Sequence, residues 1–210
     1  MARLNFKAGT LAAPLPAVMV SVGDMENSNI ITVAWTGILS SDPPRTYISV
    51  RPSRFSHGML MEKREFVINL TNEALALATD YVGVYTGAKV DKFEKCGLTK
   101  AESHEVSAPT IAEAPVSLEC KVFDVIHSGT HDIFMADIVN VSCDESLLDE
   151  KGRICFERAK LIAYSHGEYY SLGRKLGKFG YSTDKKNRST EKRAPKQNKK
   201  SRSGKDGTKK

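Results

Sequence analysis

Short runs of β-branched and apolar residues, broken by glycine, proline and asparagine, recur along most of the chain. Runs of this length between turn residues are typical of antiparallel strands. They predict strands at residues 17–22, 30–35, 46–50, 66–70, 116–126, 132–141 and 153–164. Because strands do not alternate with helices, the pattern predicts a mainly β fold, a barrel or a sandwich, and disfavours a doubly wound nucleotide fold.

Helix signals occur in fewer places. Serine, threonine and asparagine stand where they can cap a following helix, and one aspartate with a glutamate three residues later has the spacing of a capping box. These signals predict helices at 56–64 and 73–81, a short helix after Asp91, and a helical or irregular segment at 168–179. Together with the strands they predict a β-barrel with added helices.

The formal net charge of +6 is unevenly distributed over the 210 residues. Residues 184–210 carry twelve basic and three acidic side chains, a net charge of +9, which leaves residues 1–183 at −3. The 184–210 segment has no large apolar residue, so it cannot offset an ordering entropy of roughly 1–2 kcal/mol per residue. We predict one domain over residues 1–183 and a disordered basic tail over 184–210.

Absences in the sequence disfavour several classes of protein. No apolar run approaches the ~20 residues of a membrane-spanning helix, and no signal-peptide core follows Met1. The four cysteines are widely spaced, which argues against a zinc site and against a secreted disulfide framework. No P-loop, zinc-protease or serine-hydrolase motif occurs. We therefore expect a cytoplasmic protein with reduced thiols and no membrane partner.

One cluster of polar residues directly follows a predicted strand. The stretch 51–57 contains two arginines, two serines and a histidine, and it leads into a predicted helix. Helix N-termini offer free N–H groups and a positive dipole end, so this loop suits a phosphate monoester. The stretch 85–92 adds a hydroxyl group and two lysines near another helix start. Helix capping beside a solvated basic surface is the alternative interpretation.

Short stretches of the chain follow one another in a characteristic order: 14–22, 29–35, 40–44, 49–57, 66–70, 87–98, 129–131 and 164–180. In this order and spacing, over roughly residues 8–182, they resemble the flavin reductase-like, FMN-binding split-barrel proteins, particularly those of the flavoredoxin type. The resemblance implies a six-stranded split β-barrel with helical additions. It also implies a homodimer with FMN bound near the subunit interface.

The resemblance further implies which residues bind FMN. One strand segment and three nearby side chains would surround the isoalloxazine ring: Thr32, Val33, Ala34, Trp35, Asn29, His131 and Tyr164. A strand-to-helix segment and one lysine would lie near the ribityl chain and the phosphate: Val50, Arg51, Ser53, Ser56, His57 and Lys92. Without the resemblance, Trp35 would be interpreted as a core residue and His131 as a structural histidine.

Three functional hypotheses remain open from the sequence. The first is an FMN-dependent oxidoreductase that passes a hydride from NADH or NADPH to flavin, since proteins of the family that the chain resembles accept nicotinamide by stacking on the exposed flavin face. The second is a flavoredoxin-type electron-transfer protein that serves a redox protein partner. The third is non-specific binding of nucleic acid or another anionic surface by the basic tail. No side chain is assigned as a catalytic acid or base, because hydride transfer needs only alignment.

Overall fold

The computed structural model describes residues 2–183, so the predicted basic tail at 184–210 lies outside the described residues. By its internal contacts the chain divides into two units, Met1–Gly173 and Arg174–Lys210. The first unit contains every sheet and α-helix that the described residues form. The described part of the second unit contains one short 3₁₀ turn, Tyr181–Thr183.

A seven-stranded antiparallel sheet forms the centre of the first unit. With strands numbered along the whole chain, its members are β2 (Val18–Gly23), β3 (Ser28–Val33), β4 (Thr36–Ser41), β5 (Pro44–Val50), β6 (Glu65–Leu70), β9 (Val116–Ser128) and β10 (His131–Cys143). Their spatial order is β3-β2-β6-β9-β10-β5-β4.

The two edges of this sheet are neighbours in sequence. β3 and β4 stand at opposite ends of the strand order, yet only Ala34 and Trp35 join them. The backbone amide of Ser49 donates to the carbonyl of Trp35 at 2.9 Å, which ties this link to β5. The sheet therefore curls until its edges meet at the link. This gives the predicted barrel, but with seven strands where the resemblance implied six.

Two small sheets and three helices complete the first unit. One sheet has the order β1-β11-β12, from β1 (Leu15–Pro16), β11 (Ile162–Ser165) and β12 (Glu168–Ser171), and the other pairs β7 (Lys100–Ala101) with β8 (Thr110–Ile111). The helices are α1 (Phe55–Lys63), α2 (Ala76–Val84) and α3 (Lys92–Cys96), and 3₁₀ turns occupy Glu73–Leu75 and Glu145–Leu147.

β2 is buried on both of its faces, because alternate residues of a strand point to opposite sides and both sides are covered. The inward face contributes to an apolar cluster inside the barrel that includes Val18, Val20, Val22, Ile48, Phe66 and Phe134. The outward face contributes to a second cluster that includes Met19, Ile30, Leu75, Val82 and Phe93. Since the second cluster contains residues of α2 and α3, these helices pack on the outer face of the sheet, beside β3.

The predicted helices are present with small shifts of their boundaries. The segment predicted at 73–81 begins as a 3₁₀ turn, whose cap residue Asn72 accepts a hydrogen bond from the amide of Leu75 at 3.1 Å, and continues as α2. The side chain of Asp91 accepts from the amide of Glu94 at 3.1 Å, which confirms the predicted cap of α3.

The predicted strand at 153–164 is wrong over most of its length. Only the end of this stretch is a strand, β11, and turns precede it. Asp149 accepts hydrogen bonds from both the amide and the guanidinium of Arg153, and Lys160 has a φ of 49°. Local polar bonds and a left-handed residue therefore turn the chain here.

The predicted helical or irregular character at 168–179 is wrong for its first four residues, which form β12. His166 and Gly167 have φ angles of 49° and 97°, as a two-residue hairpin turn between β11 and β12 requires. A histidine at the position where asparagine is usual conceals this turn in the sequence. β4 was also not predicted, because Thr36–Ser41 has no clear alternation of polar and apolar residues.

All four cysteines are free thiols. No helix within residues 2–183 is long and apolar enough to cross a membrane.

Candidate functional site

A cavity of about 420 Å³ opens beside the link between β3 and β4, and we call it the larger cavity. Its walls come from the end of β3, the loop after β5, one side of α2, the start of β10 and the β11–β12 hairpin. Seven residues predicted from the sequence line it: Thr32, Val33, Ala34, Trp35, Arg51, His131 and Tyr164.

The end of β3 supplies backbone donors to this cavity. β3 is an edge strand, so alternate backbone amides along it have no partner within the sheet. The hydroxyl of Thr32 donates to the carbonyl of Thr79, which ties the strand to α2. A Cβ added to Gly83 would lie only 3.2 Å from the Cβ of Thr32, so a side chain there would push helix and strand apart by a few tenths of an ångström.

Trp35 and His131 form an aromatic wall of the larger cavity. Their ring centroids are 4.4 Å apart and their planes are inclined by 41°. Burial, followed by the positive charges of Arg51 and Arg54, lowers the pKa of His131 below its ordinary value. His131 is therefore neutral at pH 7, with one ring nitrogen that donates and one that accepts, and the hydroxyl of Thr130 lies 2.9 Å from Nδ1.

Asp80 and Tyr169 add a second polar pair to the lining. The hydroxyl of Tyr169 hydrogen-bonds the Asp80 carboxylate, and the rings of Tyr169 and Tyr164 meet edge to face with centroids 5.6 Å apart. Burial, together with the negative charge of Asp80, raises the pKa of Tyr169 to about 12. Tyr169 therefore remains a phenol, and hence a hydrogen-bond donor, across the physiological pH range.

A smaller cavity of about 80 Å³ adjoins the larger one, because Ile31, Arg54 and Gly83 line both. The smaller cavity lies between the start of α1, the end of α2 and the start of α3. Four residues predicted from the sequence line it: Asn29, Ser53, Ser56 and Lys92. The two cavities therefore lie side by side, as a wide part and a narrow part of one candidate site.

Lys92 is a buried cation at the narrow part of the site. It is 4% exposed, and its Nζ donates to the carbonyls of Ile30 at 2.7 Å and Val82 at 2.9 Å. An ammonium group has three hydrogens, so one remains for a further acceptor. Burial, followed by the positive charge of Arg54, lowers the pKa of Lys92 to about 8. An anion in the smaller cavity would offset this cost of burying the charge.

Ser56 lies in the first turn of α1 and faces the smaller cavity. Arg54 precedes the helix and makes no side-chain capping bond, so the first amides of α1 have no capping side chain. The side-chain amide of Asn29 donates to the Ser56 hydroxyl at 2.7 Å. A Cβ at Gly87 would lie 2.2 Å from Oδ1 of Asn29, which means that only glycine fits beside this amide.

Two predicted residues, Val50 and His57, lie outside the lining of both cavities. Val50 is 2% exposed and belongs to the apolar cluster inside the barrel. Nε2 of His57 lies 2.7 Å from one carboxylate oxygen of Asp132, and Nδ1 of His127 lies 2.8 Å from the other. These hydrogen bonds hold α1 against the β9–β10 hairpin. His57 is the next residue after Ser56, and Asp132 is the next residue after His131.

Several lining residues were not selected from the sequence. Arg54 stood within the polar cluster at 51–57, and its place in both cavities distinguishes it from Arg51, which lines only the larger. Asp80 and Gly83 come from α2, and they gave no signal because nothing local shows that this helix packs beside β3. Gly87 stood within the stretches at 85–92 and 87–98, but nothing local shows that it lies beside Asn29.

Comparison with known proteins identifies the family. The family model described as "Flavin reductase like domain" matches residues 11–173. The chain belongs to this family. The match confirms the predicted resemblance and makes the paired cavities a candidate flavin site.

Two solved structures are similar to this chain in both sequence and fold. The flavoredoxin of Desulfovibrio vulgaris (Miyazaki F) is 31% identical with a TM-score of 0.81, over 87% of this chain and 100% of that chain. An FMN-binding protein from Thermus thermophilus is 27% identical with a TM-score of 0.71, over 85% of this chain and 97% of that one. Both likenesses confirm the predicted split barrel.

A further sequence relative is the reductase component of an FADH(2)-dependent resorcinol hydroxylase from Rhizobium sp.. It is 23% identical over 158 residues, which cover 72% of this chain and 85% of that protein. The reductase component of a hydroxylase and a flavoredoxin thus both occur among the relatives of this flavin reductase-like protein.

Proposed function

We propose that the protein is an FMN-dependent oxidoreductase that transfers a hydride from NADH or NADPH to flavin. The observation that carries this proposal is that two cavities of different character lie side by side. The larger has aromatic and strand-backbone walls that suit a flat ring, and the smaller contains a buried lysine and a serine hydroxyl that suit a phosphate monoester. Membership of the flavin reductase-like family supports flavin as the ligand.

The residues of the smaller cavity fit the phosphate of FMN. Lys92 retains one N–H after its two carbonyl bonds, and Ser56 accepts from Asn29 and so retains its own hydrogen. The amide of His57 donates to the carbonyl of the cap residue Arg54 at 2.9 Å, but the earlier amides of α1 precede the first intrahelical acceptor and carry the positive end of the helix dipole. Arg54 lines both cavities and would add a second cation. A phosphate dianion would therefore meet two charges and several donors.

The residues of the larger cavity would hold the isoalloxazine ring. When bound, FMN would supply the redox chemistry by accepting two electrons and passing them on. The contribution of the chain is to fix donors beside the ring atoms that gain negative charge on reduction. Unpaired amides of β3 near Thr32 and the neutral imidazole of His131 are donors of this kind.

A nicotinamide ring would stack on the exposed face of the bound flavin. Transfer of a hydride between stacked rings needs proximity and alignment but no side-chain acid or base, so we assign no catalytic residue. Tyr164 and Tyr169 border the larger cavity and would limit the orientations open to the incoming ring. Arg51, exposed in the same lining, suits the phosphates of the dinucleotide.

Electron carriage is the second candidate function, and the likeness to flavoredoxin favours it. In that case a protein partner, rather than a nicotinamide nucleotide, would exchange electrons with the bound flavin. The two candidates share the cofactor and the site, so they differ only in what approaches the larger cavity.

Spectroscopy and steady-state kinetics test these proposals in turn. Purified protein is expected to be yellow, with the absorption bands of oxidised flavin, or to bind added FMN at micromolar concentration. A colourless protein that does not bind FMN would contradict the proposal. Oxidation of NADH and NADPH is then measured with free FMN present. Turnover identifies a reductase, whereas a flavin-loaded protein with negligible turnover identifies a carrier.

We also propose that the protein is a cytoplasmic homodimer. Free cysteines support a reducing compartment. On edge strand β4, Ile38 and Leu39 are 67% and 46% exposed, which supports burial of this edge by a second copy. Sedimentation equilibrium should give twice the chain mass, and Ile38→Asp should shift the mass towards that of the monomer.

The basic segment 184–210 is proposed to make at most non-specific contacts with anionic surfaces.

A further inference from the structure

Asn29 lies at the narrow part of the site. Asn29 is 4% exposed, and it lines the smaller cavity but not the larger one. Its side-chain amide donates to the hydroxyl oxygen of Ser56 at 2.7 Å. The structure thus joins Asn29 to a residue on the proposed phosphate side, whereas the sequence resemblance implied a place beside the ring.

This hydrogen bond fixes the direction in which the Ser56 hydroxyl can act. A hydroxyl group has a single hydrogen and accepts through its lone pairs. Because the oxygen of Ser56 accepts from Asn29, its hydrogen stays available, and within residues 2–183 this hydroxyl makes no other hydrogen bond. Ser56 is 1% exposed, so this hydrogen has little access to bulk water and is left for an acceptor in the smaller cavity.

Gly87 keeps the Asn29 amide in this orientation. A Cβ at position 87 would lie 2.2 Å from Oδ1 of Asn29, 2.5 Å from its Cγ and 2.8 Å from its Nδ2. The backbone at Gly87 therefore packs directly against the amide plane. Any side chain there would displace the amide and with it the hydrogen bond to Ser56.

We propose that Asn29 is a positioning residue for phosphate binding, which acts by holding the Ser56 hydroxyl as a donor and not by contacting the flavin itself. The inference rests on the proposed FMN-dependent function. A serine hydroxyl that gave its hydrogen to another acceptor would present lone pairs to the phosphate oxygens and repel them. Asn29 prevents this, because its Nδ2 can only donate.

A double-mutant cycle on the apoprotein tests the inference. Asn29→Ala, Ser56→Ala and the double variant are titrated with FMN and with riboflavin by calorimetry, because riboflavin lacks the phosphate. We expect each single variant to bind FMN about tenfold more weakly, and the double variant to bind no more weakly than Ser56→Ala. Riboflavin affinity should stay within about twofold of wild type throughout, and Ser56→Thr should retain FMN affinity.

Two results would overturn the inference while leaving the proposed function intact. One is an additive loss of about a hundredfold for FMN in the double variant, since Asn29 would then act independently of Ser56. The other is an equal loss for FMN and riboflavin in Asn29→Ala, since Asn29 would then act on the ring or on the fold. Failure of the wild-type protein to bind either flavin would instead contradict the proposed function.

Gly87→Ala provides a route to the same answer if Asn29→Ala does not fold. It displaces the Asn29 amide without removing it, so it should reproduce the FMN-selective loss. Gly58→Ala on α1 is the matched control, because a Cβ there meets no atom within 4 Å. Unchanged FMN binding by Gly87→Ala, or an equal loss in Gly58→Ala, would contradict the positioning role.

Discussion

The imidazole of His131 packs against the indole of Trp35, with their ring centroids 4.4 Å apart. Trp35 is the only tryptophan of the sequence, so indole fluorescence reports on this pair alone. A protonated imidazole quenches indole emission more strongly than a neutral one. Because burial and two arginines lower the pKa of His131, the emission of the apoprotein should fall on acidification with a midpoint below 6.5.

Fluorescence titration of His131→Gln is the control for this prediction. The variant should retain Trp35 emission without the acid transition. A wild-type midpoint above 6.5 would mean that the imidazole is not held neutral beside the cavity.

Replacement of Lys92 by methionine should weaken FMN binding by about 1.5–3 kcal/mol, because it removes a charge-assisted hydrogen bond to the phosphate. Riboflavin should be bound as by the wild-type protein. Calorimetry with both ligands measures the difference. Since Lys92→Met also leaves the carbonyls of Ile30 and Val82 without their partner, some loss of thermal stability is expected. Equal weakening for both flavins would show that Lys92 is not a phosphate ligand.

The pKa of about 8 for Lys92 predicts a pH dependence of FMN affinity. Above this pH the lysine of the free protein is neutral, so phosphate binding must take up a proton. FMN affinity should therefore fall as the pH rises beyond 8, by at most roughly tenfold per pH unit. Riboflavin affinity should not follow this slope, and Lys92→Met should remove it. A slope shared by both flavins would point to another group.

Glu119 is a buried carboxylate that anchors the loop before β8. It is 1% exposed and accepts hydrogen bonds from the amides of His104 and Glu105 and from the side chain of Asn140. Glu119→Gln should lower the free energy of unfolding by about 1–3 kcal/mol, because an amide cannot accept all of these bonds. Urea denaturation measures the loss, with Glu62→Gln on exposed α1 as the control.

The pKa of Glu119 determines how the stability lost in Glu119→Gln depends on pH. Burial alone would raise the pKa of Glu119, but the hydrogen bonds from Asn140 and the two amides outweigh it and lower the pKa. Its stabilising contribution is therefore present above pH 4.5 and disappears as the pH falls through the lower folded-state value. The difference between wild type and Glu119→Gln should shrink in that range. A difference that grows on acidification would contradict this assignment.

A chain that ends at Thr183 should bind FMN and turn over NADH or NADPH as the full chain does. The reason is that both cavities lie within the first unit. Any retention on DNA at low salt should disappear, since the net charge of +9 is removed with residues 184–210. Loss of FMN binding on truncation would contradict the domain boundary that we propose.

The strands were predictable wherever their apolar residues alternate with polar ones or form a short buried run. β2, β5, β6, β9 and β10 match the predicted segments closely, because each contributes side chains to the barrel interior. β12 was missed because its turn uses His166 in a left-handed conformation, which residue preferences do not anticipate. The order of the strands depends on pairings distant in sequence, so the pattern of residues does not indicate it.

The candidate site was predictable from segments that lie next to each other in the chain. The link at Trp35 and the loop at Ser56 carried recognisable sequence, and both line the cavities. The contribution of α2 was not predictable, since the approach of Gly83 to Thr32 depends on packing between elements. The orientation of Asn29 towards Ser56 likewise follows from three-dimensional packing and not from spacing.

The two-residue link at Ala34 and Trp35 has a mechanical consequence for the whole barrel. It is the seam at which the first and last strands of the sheet meet, and the proposed flavin ring would lie along it. A bound ligand would hold the two edge strands together at this seam. It would therefore slow amide hydrogen exchange more in β3 and β4 than in any other strand. Removal of the ligand would accordingly loosen the barrel first at the seam between β3 and β4, and not evenly over all of its strands.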